Sequence, residues 1–157
     1  MRQQLAVLHK MLLDIVRDDQ VCRRFMTVPG VGPVLALTYR ATVDQPHRFV
    51  HSRAAGAHAG LTPKPHQSGE TDYDGSISKC GDTILRTMLY EATQTMLTHG
   101  KKWSWLKVWG IRVTRRRGMR RAIVAVARRL AISLHRMWVD GTDFRWSNGA
   151  NAPMQAA

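Results

Sequence analysis

The residues best suited by type to do chemistry lie in one polar stretch, Gly60 to Asp82, which reads G-L-T-P-K-P-H-Q-S-G-E-T-D-Y-D-G-S-I-S-K-C-G-D. Ser68 stands beside Gly69, with Lys64, His66, Lys79 and Arg86 near it in sequence. A serine hydroxyl can attack a phosphodiester when cations stabilise the charge developing on the phosphoryl oxygens and a neighbour accepts the hydroxyl proton. Lys64, Lys79 and Arg86 are of the right type for the first task, and His66 or Asp72 for the second. A Ser-Gly pair in a polar segment is also ordinary turn chemistry, and that is its commoner use. Types and spacing leave both readings standing.

Other chemistries find less support. The acids of the stretch, Glu70, Asp72, Asp74 and Asp82, do not form the clustered carboxylates that a two-metal nuclease needs. No His/Cys set has zinc spacing, so no metal site is expected in this chain. A Gly-rich nucleotide loop and a G-x-S-x-G elbow are both absent from the sequence. His51 and His58 are seven apart and read as a packed or solvated pair. Cys22 and Cys80 lack metal or C-x-x-C spacing and read as reduced thiols of a cytosolic protein.

The elements around the stretch are helical. The chain has 157 residues, 44% of them apolar, enough for one domain with a real core. Leu5, Leu8, Leu12, Ile15, Val16 and Phe25 follow a three-four repeat, which predicts an amphipathic helix over residues 1–25. Pro29-Gly30-Val31-Gly32-Pro33 then makes a tight turn between apolar segments, with Pro33 suited to the first turn of a new helix. This turn resembles the helix-hairpin-helix element of DNA-repair and recombination proteins, in which Gly30 and Gly32 would let backbone N–H groups approach a phosphate. An ordinary turn between helices is the alternative. A short Ala-rich helix is expected over 51–60, and a longer one from Asp82, its N-cap, to Gly100. Trp103, Trp105 and Trp109 fall in the next helical segment and read as core or oligomer surface rather than base-stacking groups.

The charge is extreme. The formal net charge is +13 and the isoelectric point is near 11.0, a balance that favours a polyanionic partner. No apolar run is long enough to span a membrane. Between Ala92 and Val139 every Asp, Glu, Lys or Arg position is Lys or Arg. Arg115, Arg116, Arg117, Arg120, Arg121, Arg128 and Arg129 are the centre of this run. A solvated helix face normally mixes signs, so the exclusion of acids reads as a footprint for a phosphate backbone.

The succession V-P-G-V-G-P, R-F, A-G-A-H-A-G-L-T-P, H-Q-S-G, G-S-I-S-K-C-G-D-x-x-L-R and R-R-G-M-R-R-A-I-V-A-V-A-R-R-L-A, over about residues 25–140, resembles the C-terminal domain of insertion-sequence family 110/116/902 transposases. In that family a RuvC-like nuclease domain with four acidic residues is joined through a coiled coil to this domain, which supplies a nucleophilic serine. The resemblance implies Ser68, in H-Q-S-G, as that serine; Ser78 ranks lower and Ser76 lower still. It implies DNA as partner with a structured guide RNA beside it. A homo-oligomer or a RuvC-like nuclease domain would complete the assembly, in the bacterial cytoplasm at the nucleoid. Mg2+ would belong to the RuvC-like domain, which this sequence lacks, and no cofactor to this chain. The expected organisation is a coiled-coil end over 1–24, the serine domain over 25–141 and a disordered tail over 142–157. The expected fold is mostly α, with a helix-hairpin-helix unit and an inserted polar loop or short β-hairpin. The alternative function is a non-catalytic helix-hairpin-helix fragment that only binds nucleic acid.

Overall fold

A computed structural model of the chain describes residues 2–68 and 71–147; for Arg2 and residues 64–68 and 71–75 only the backbone is described. The order of elements is α1 (Arg2–Asp18), α2 (Gln20–Phe25), α3 (Pro33–Val43), a 3-10 turn at Pro46–Arg48, α4 (Arg53–His58), β1 (Pro63–Ser68), β2 (Thr71–Ile77), α5 (Thr83–Thr98), α6 (Trp105–Arg117) and α7 (Met119–Asp140). The mostly α expectation holds, and the polar insertion is a two-stranded antiparallel hairpin.

The first expected helix is two. Asp19 adopts an extended backbone and its carboxylate accepts from the amides of Val21 and Cys22, ending α1 and capping α2. An Asx cap of this kind offers the backbone an alternative to helix continuation, which the apolar repeat on either side conceals. Only the end of α1 joins the core: Val16 is buried, whereas Leu5, Leu8, Met11 and Ile15 are exposed.

α7 is the hub. Its apolar stripe, Ile123, Val126, Ala127, Leu130, Leu134 and Met137, is buried among residues of α2 to α6. Phe25 meets the Tyr39 ring edge-on at 5.3 Å and the Trp138 ring at 5.7 Å. The buried Tyr39 hydroxyl donates to the Ala131 carbonyl at 2.7 Å, tying α3 to α7. His135 bonds Ser52 Oγ at 3.0 Å and the Pro46 carbonyl at 2.8 Å, holding the segment before α4 against the same helix. At Gly110 an added Cβ would lie 2.7 Å from Leu97 and 2.8 Å from Val126. That glycine therefore sets how closely α6 approaches α5 and α7.

Residues 142–147 differ from a structureless tail. Phe144 is buried, its amide donates to Thr27 Oγ1 at 3.0 Å, and its ring stacks on Trp105 at 6.3 Å. The apolar payload of a single aromatic is enough to bring a polar segment back onto the core.

Candidate functional site

Ser68 is the last paired residue of β1, opposite Thr71, in a register running Pro63–Ile77, Pro65–Asp74, His66–Tyr73 and Gln67–Asp72. The ribbon has two strands, so each strand has a free edge, and Pro63 and Pro65 need not donate to a ladder. The side chains of Ser68, Lys64, His66 and Asp72 lie outside the described residues, as does Glu70 entirely.

The foot of the hairpin is well defined. The Leu61 amide donates to Gly56, that of Ser78 to Thr62 at 2.8 Å, and that of Lys79 to Gly60 at 3.1 Å. Lys79 has a left-handed backbone with φ of 55°, and Gly81 has φ of 149°. A Cβ at Gly81 would sit 2.1 Å from the His58 carbonyl, so only glycine lets the return strand pass α4. Arg86, from the first turn and a half of α5, reaches over this foot. Its Nη1 donates to the Lys79 carbonyl at 3.1 Å and the Ala59 carbonyl at 3.5 Å, and its Nη2 to Thr83 Oγ1 at 3.2 Å. Three acceptors occupy its guanidinium, which braces the ribbon. The Asp82 carboxylate accepts from the Leu85 amide at 2.6 Å and starts α5. Beside the foot, Leu61, Ile77, Tyr90 and Val124 wall a hollow of about 400 Å³ with Arg86 on its rim.

The turn before α3 is also fixed by α5. Gly30 has φ of 84°, and a Cβ there would meet the Ala92 carbonyl at 2.6 Å. Its missing side chain thus provides close approach to α5. Gly32 is exposed, with open space around it, and caps α3 without any side-chain acceptor for the first amides.

The arginines divide into two kinds. Arg129 lies 4.4 Å from the Trp109 ring centroid and 5.4 Å from that of Trp105. The stem of Arg128 runs past Gly56, where a Cβ would stand 3.0 Å from its Cγ. Both side chains pack elements together. Arg129 is nevertheless exposed; Arg112, Arg115, Arg116, Arg117, Arg120 and Arg121 are exposed too, without such contacts among the described residues, around the corner where α6 meets α7. The last turn of a helix tolerates cations, but the first turn carries the positive end of the helix dipole. Arg120 and Arg121 occupy that first turn, and its N-cap, Gly118, offers no side-chain acceptor. No ion pair involves this corner among the described residues, where Arg24–Asp143 and Arg40–Asp19 are the pairs found. Uncapped amides, helix dipole and guanidinium groups all favour an anion at one place.

Sequence reasoning missed two cations. Lys107 is buried and donates to the Gly100 carbonyl, closing the end of α5. Arg40 stacks on Trp138 at 4.6 Å and pairs with Asp19 at 3.5 Å. Lys107 carries one faint signal, its three-residue distance from the N-cap Ser104 in a helix that starts on an apolar turn. Among the described residues no group of three His, Cys, Asp or Glu could hold a metal ion, and no helix is long and apolar enough to cross a membrane.

Hairpin, braced foot and basic helical corner together describe a helical domain that presents a small polar ribbon beside a cationic surface. Residues 22–109 match the model of the IS116/IS110/IS902 transposase family, and the chain belongs to that family. It is 38% identical to the transposase for insertion sequence element IS1111A of Coxiella burnetii over 122 residues, covering 74% of this chain and 32% of that protein. It is 27% identical to the transposase for insertion sequence element IS1328 of Yersinia enterocolitica over 95 residues, covering 60% of this chain and 28% of that protein. The chain thus spans about a third of the length of the curated relatives it matches.

Proposed function

We propose that this chain serves DNA transposition as the domain that binds DNA and supplies Ser68 as nucleophile. The Ser68 oxygen attacks a backbone phosphorus, a phosphoserine bond forms, and the bond from phosphorus to a deoxyribose oxygen breaks; that oxygen leaves with a proton. Rejoining reverses the steps with a different deoxyribose hydroxyl. His66 or Asp72 accepts the serine proton, and Lys64 and Lys79 face the developing phosphoryl charge. Arg86 acts as a positioning residue, since three of its five N–H donors bind the hairpin foot and the first turn of α5.

The observation that carries this reading is the position of Ser68 at the end of a paired strand, on a ribbon braced by Gly81 and Arg86, in a chain of this family. The corner of Arg115, Arg116, Arg117, Arg120 and Arg121 holds the DNA backbone, and the Gly32 end of α3 adds a hairpin-type phosphate contact. Cleavage needs a RuvC-like nuclease domain, in the same protein or another, and Mg2+ belongs there. A guide RNA and a second copy of the chain complete the assembly in the bacterial cytoplasm.

The test is covalent trapping of labelled DNA in the presence of a complementing RuvC-like domain. Wild type and Ser78→Ala form a protein–DNA adduct and Ser68→Ala does not. An undiminished adduct with Ser68→Ala removes Ser68 from the mechanism. A chain that binds DNA with steep salt dependence but never forms an adduct is the non-catalytic fragment instead.

A further inference from the structure

Two tryptophans stand outside the core on one patch. Trp103 is 65% exposed and Trp146 40% exposed. The Trp105 amide donates to the Trp146 carbonyl at 3.1 Å, which ties the strap after α7 to the start of α6. Lys102, the residue before Trp103, places its ammonium 5.7 Å from the Trp146 ring, and both tryptophans lie by the start of α6. The patch is supported from below, because Phe144 meets Trp146 edge-on at 5.7 Å and itself stacks on Trp105. Its charged groups are mostly cationic. Lys101, Lys102 and Arg145 are exposed, and Lys107 lies 5.1 Å from the Trp103 ring. The nearby Asp143 is turned toward Arg24 at 3.7 Å.

We propose that Trp103 and Trp146 form a stacking platform for the unpaired bases of a single nucleic-acid strand, with Lys101, Lys102 and Arg145 on the adjoining phosphates. Bases in a duplex are stacked on each other and offer only their edges in the grooves. An exposed indole face framed by cations therefore selects unstacked bases, and does so with little regard to sequence. The platform is separate from the arginine corner. It lies at the N-terminal end of α6 and the corner at the C-terminal end, about 18 Å away along the helix at 1.5 Å per residue. The proposal rests on the reading that this chain binds nucleic acid, and adds that strand separation is recognised at a second place.

The test uses the whole chain with labelled oligo(dT), oligo(U) and a duplex, read by fluorescence anisotropy. Trp103→Ala and Trp146→Ala should each weaken single-strand binding by about fivefold or more, with duplex binding unchanged within about twofold. Trp103→Phe and Trp146→Phe should recover most of the affinity, since a phenyl ring still stacks. A preference for oligo(dT) or for oligo(U) tells whether the strand is DNA or RNA, and either supports the platform. Single-strand binding unchanged in the double alanine variant overturns it, as does a parallel loss of duplex binding. Duplex binding without any oligo(dT) or oligo(U) binding by wild type removes the platform alone. Failure to bind all three removes the underlying reading as well. Sedimentation that shifts from dimer to monomer in the double alanine variant, at constant oligonucleotide affinity, would reassign the patch to the interface between copies.

Discussion

At the residue scale, the same side-chain type does different work according to what lies beneath it. Arg129 over Trp105 and Trp109 is a packing group, whereas Arg120 at the helix start has no partner among the described residues. Arg129→Gln is expected to lower stability by about 1 kcal/mol because it removes the cation–π attraction, and Arg120→Gln to change it by less than about 0.5 kcal/mol. Urea unfolding of the two variants decides this; equal effects would mean the two tryptophans contribute nothing through Arg129. The thiols separate in the same way. Burial, then the charge of Asp19, raises the Cys22 pKa to about 11, while Cys80 is exposed. At neutral pH an alkylating reagent should modify Cys80 alone in the folded protein, and Cys80→Ser should leave no fast-reacting thiol. Because the folded Cys22 pKa is raised above its unfolded value, its contribution to stability is complete below about pH 9 and disappears as pH rises toward about 11.

At the element scale, the hairpin is anchored at its foot by contacts to α4 and α5. A two-stranded ribbon has little stability alone, so Gly81 and Arg86 decide how firmly its foot is anchored. Gly81→Ala forces a Cβ into the His58 carbonyl and should cost about 2 kcal/mol or more. Arg86→Ala should instead leave the helices intact and loosen the ribbon. Amide exchange in residues 61–80 is the measurement. A protected hairpin in Arg86→Ala would show that its three hydrogen bonds are dispensable. The short helix α2 teaches the same lesson, since one Asp19 carboxylate divides what the apolar repeat presents as one helix.

At the scale of the whole molecule, exposed arginines gather where α6 and α7 meet, and the hairpin foot shares a hollow with Arg86 of α5 and Val124 of α7. Replacing Arg115, Arg116, Arg117, Arg120 and Arg121 by Gln should weaken duplex binding across all sequences. It should also flatten the dependence of log affinity on log salt by about 0.9 for each phosphate no longer neutralised. Titration at several salt concentrations checks it. A slope equal to that of wild type would mean that the corner serves solubility and the backbone is held elsewhere. Binding by the α3 turn alone predicts that outcome.

The sequence by itself determined the helical class, because apolar spacing on α5 and α7 is a local signal that packing preserves. It also determined the α5 N-cap at Asp82, the start of α3 at Pro33 and the polar insertion carrying Ser68, where Pro, Gly and Ser exclude both helix and core. The ordered family motifs were legible for the same reason, being runs of contiguous residues. What the tertiary structure decided are relations between distant residues. Arg86 closes the hairpin foot through carbonyls from two other segments, Gly30 is pressed to Ala92, and Arg129 is taken up by two tryptophans of a neighbouring helix. Phe144 returning to Trp105 made the start of the tail part of the packed domain. Composition counts cations, but only the packed chain determines which of them hold it together.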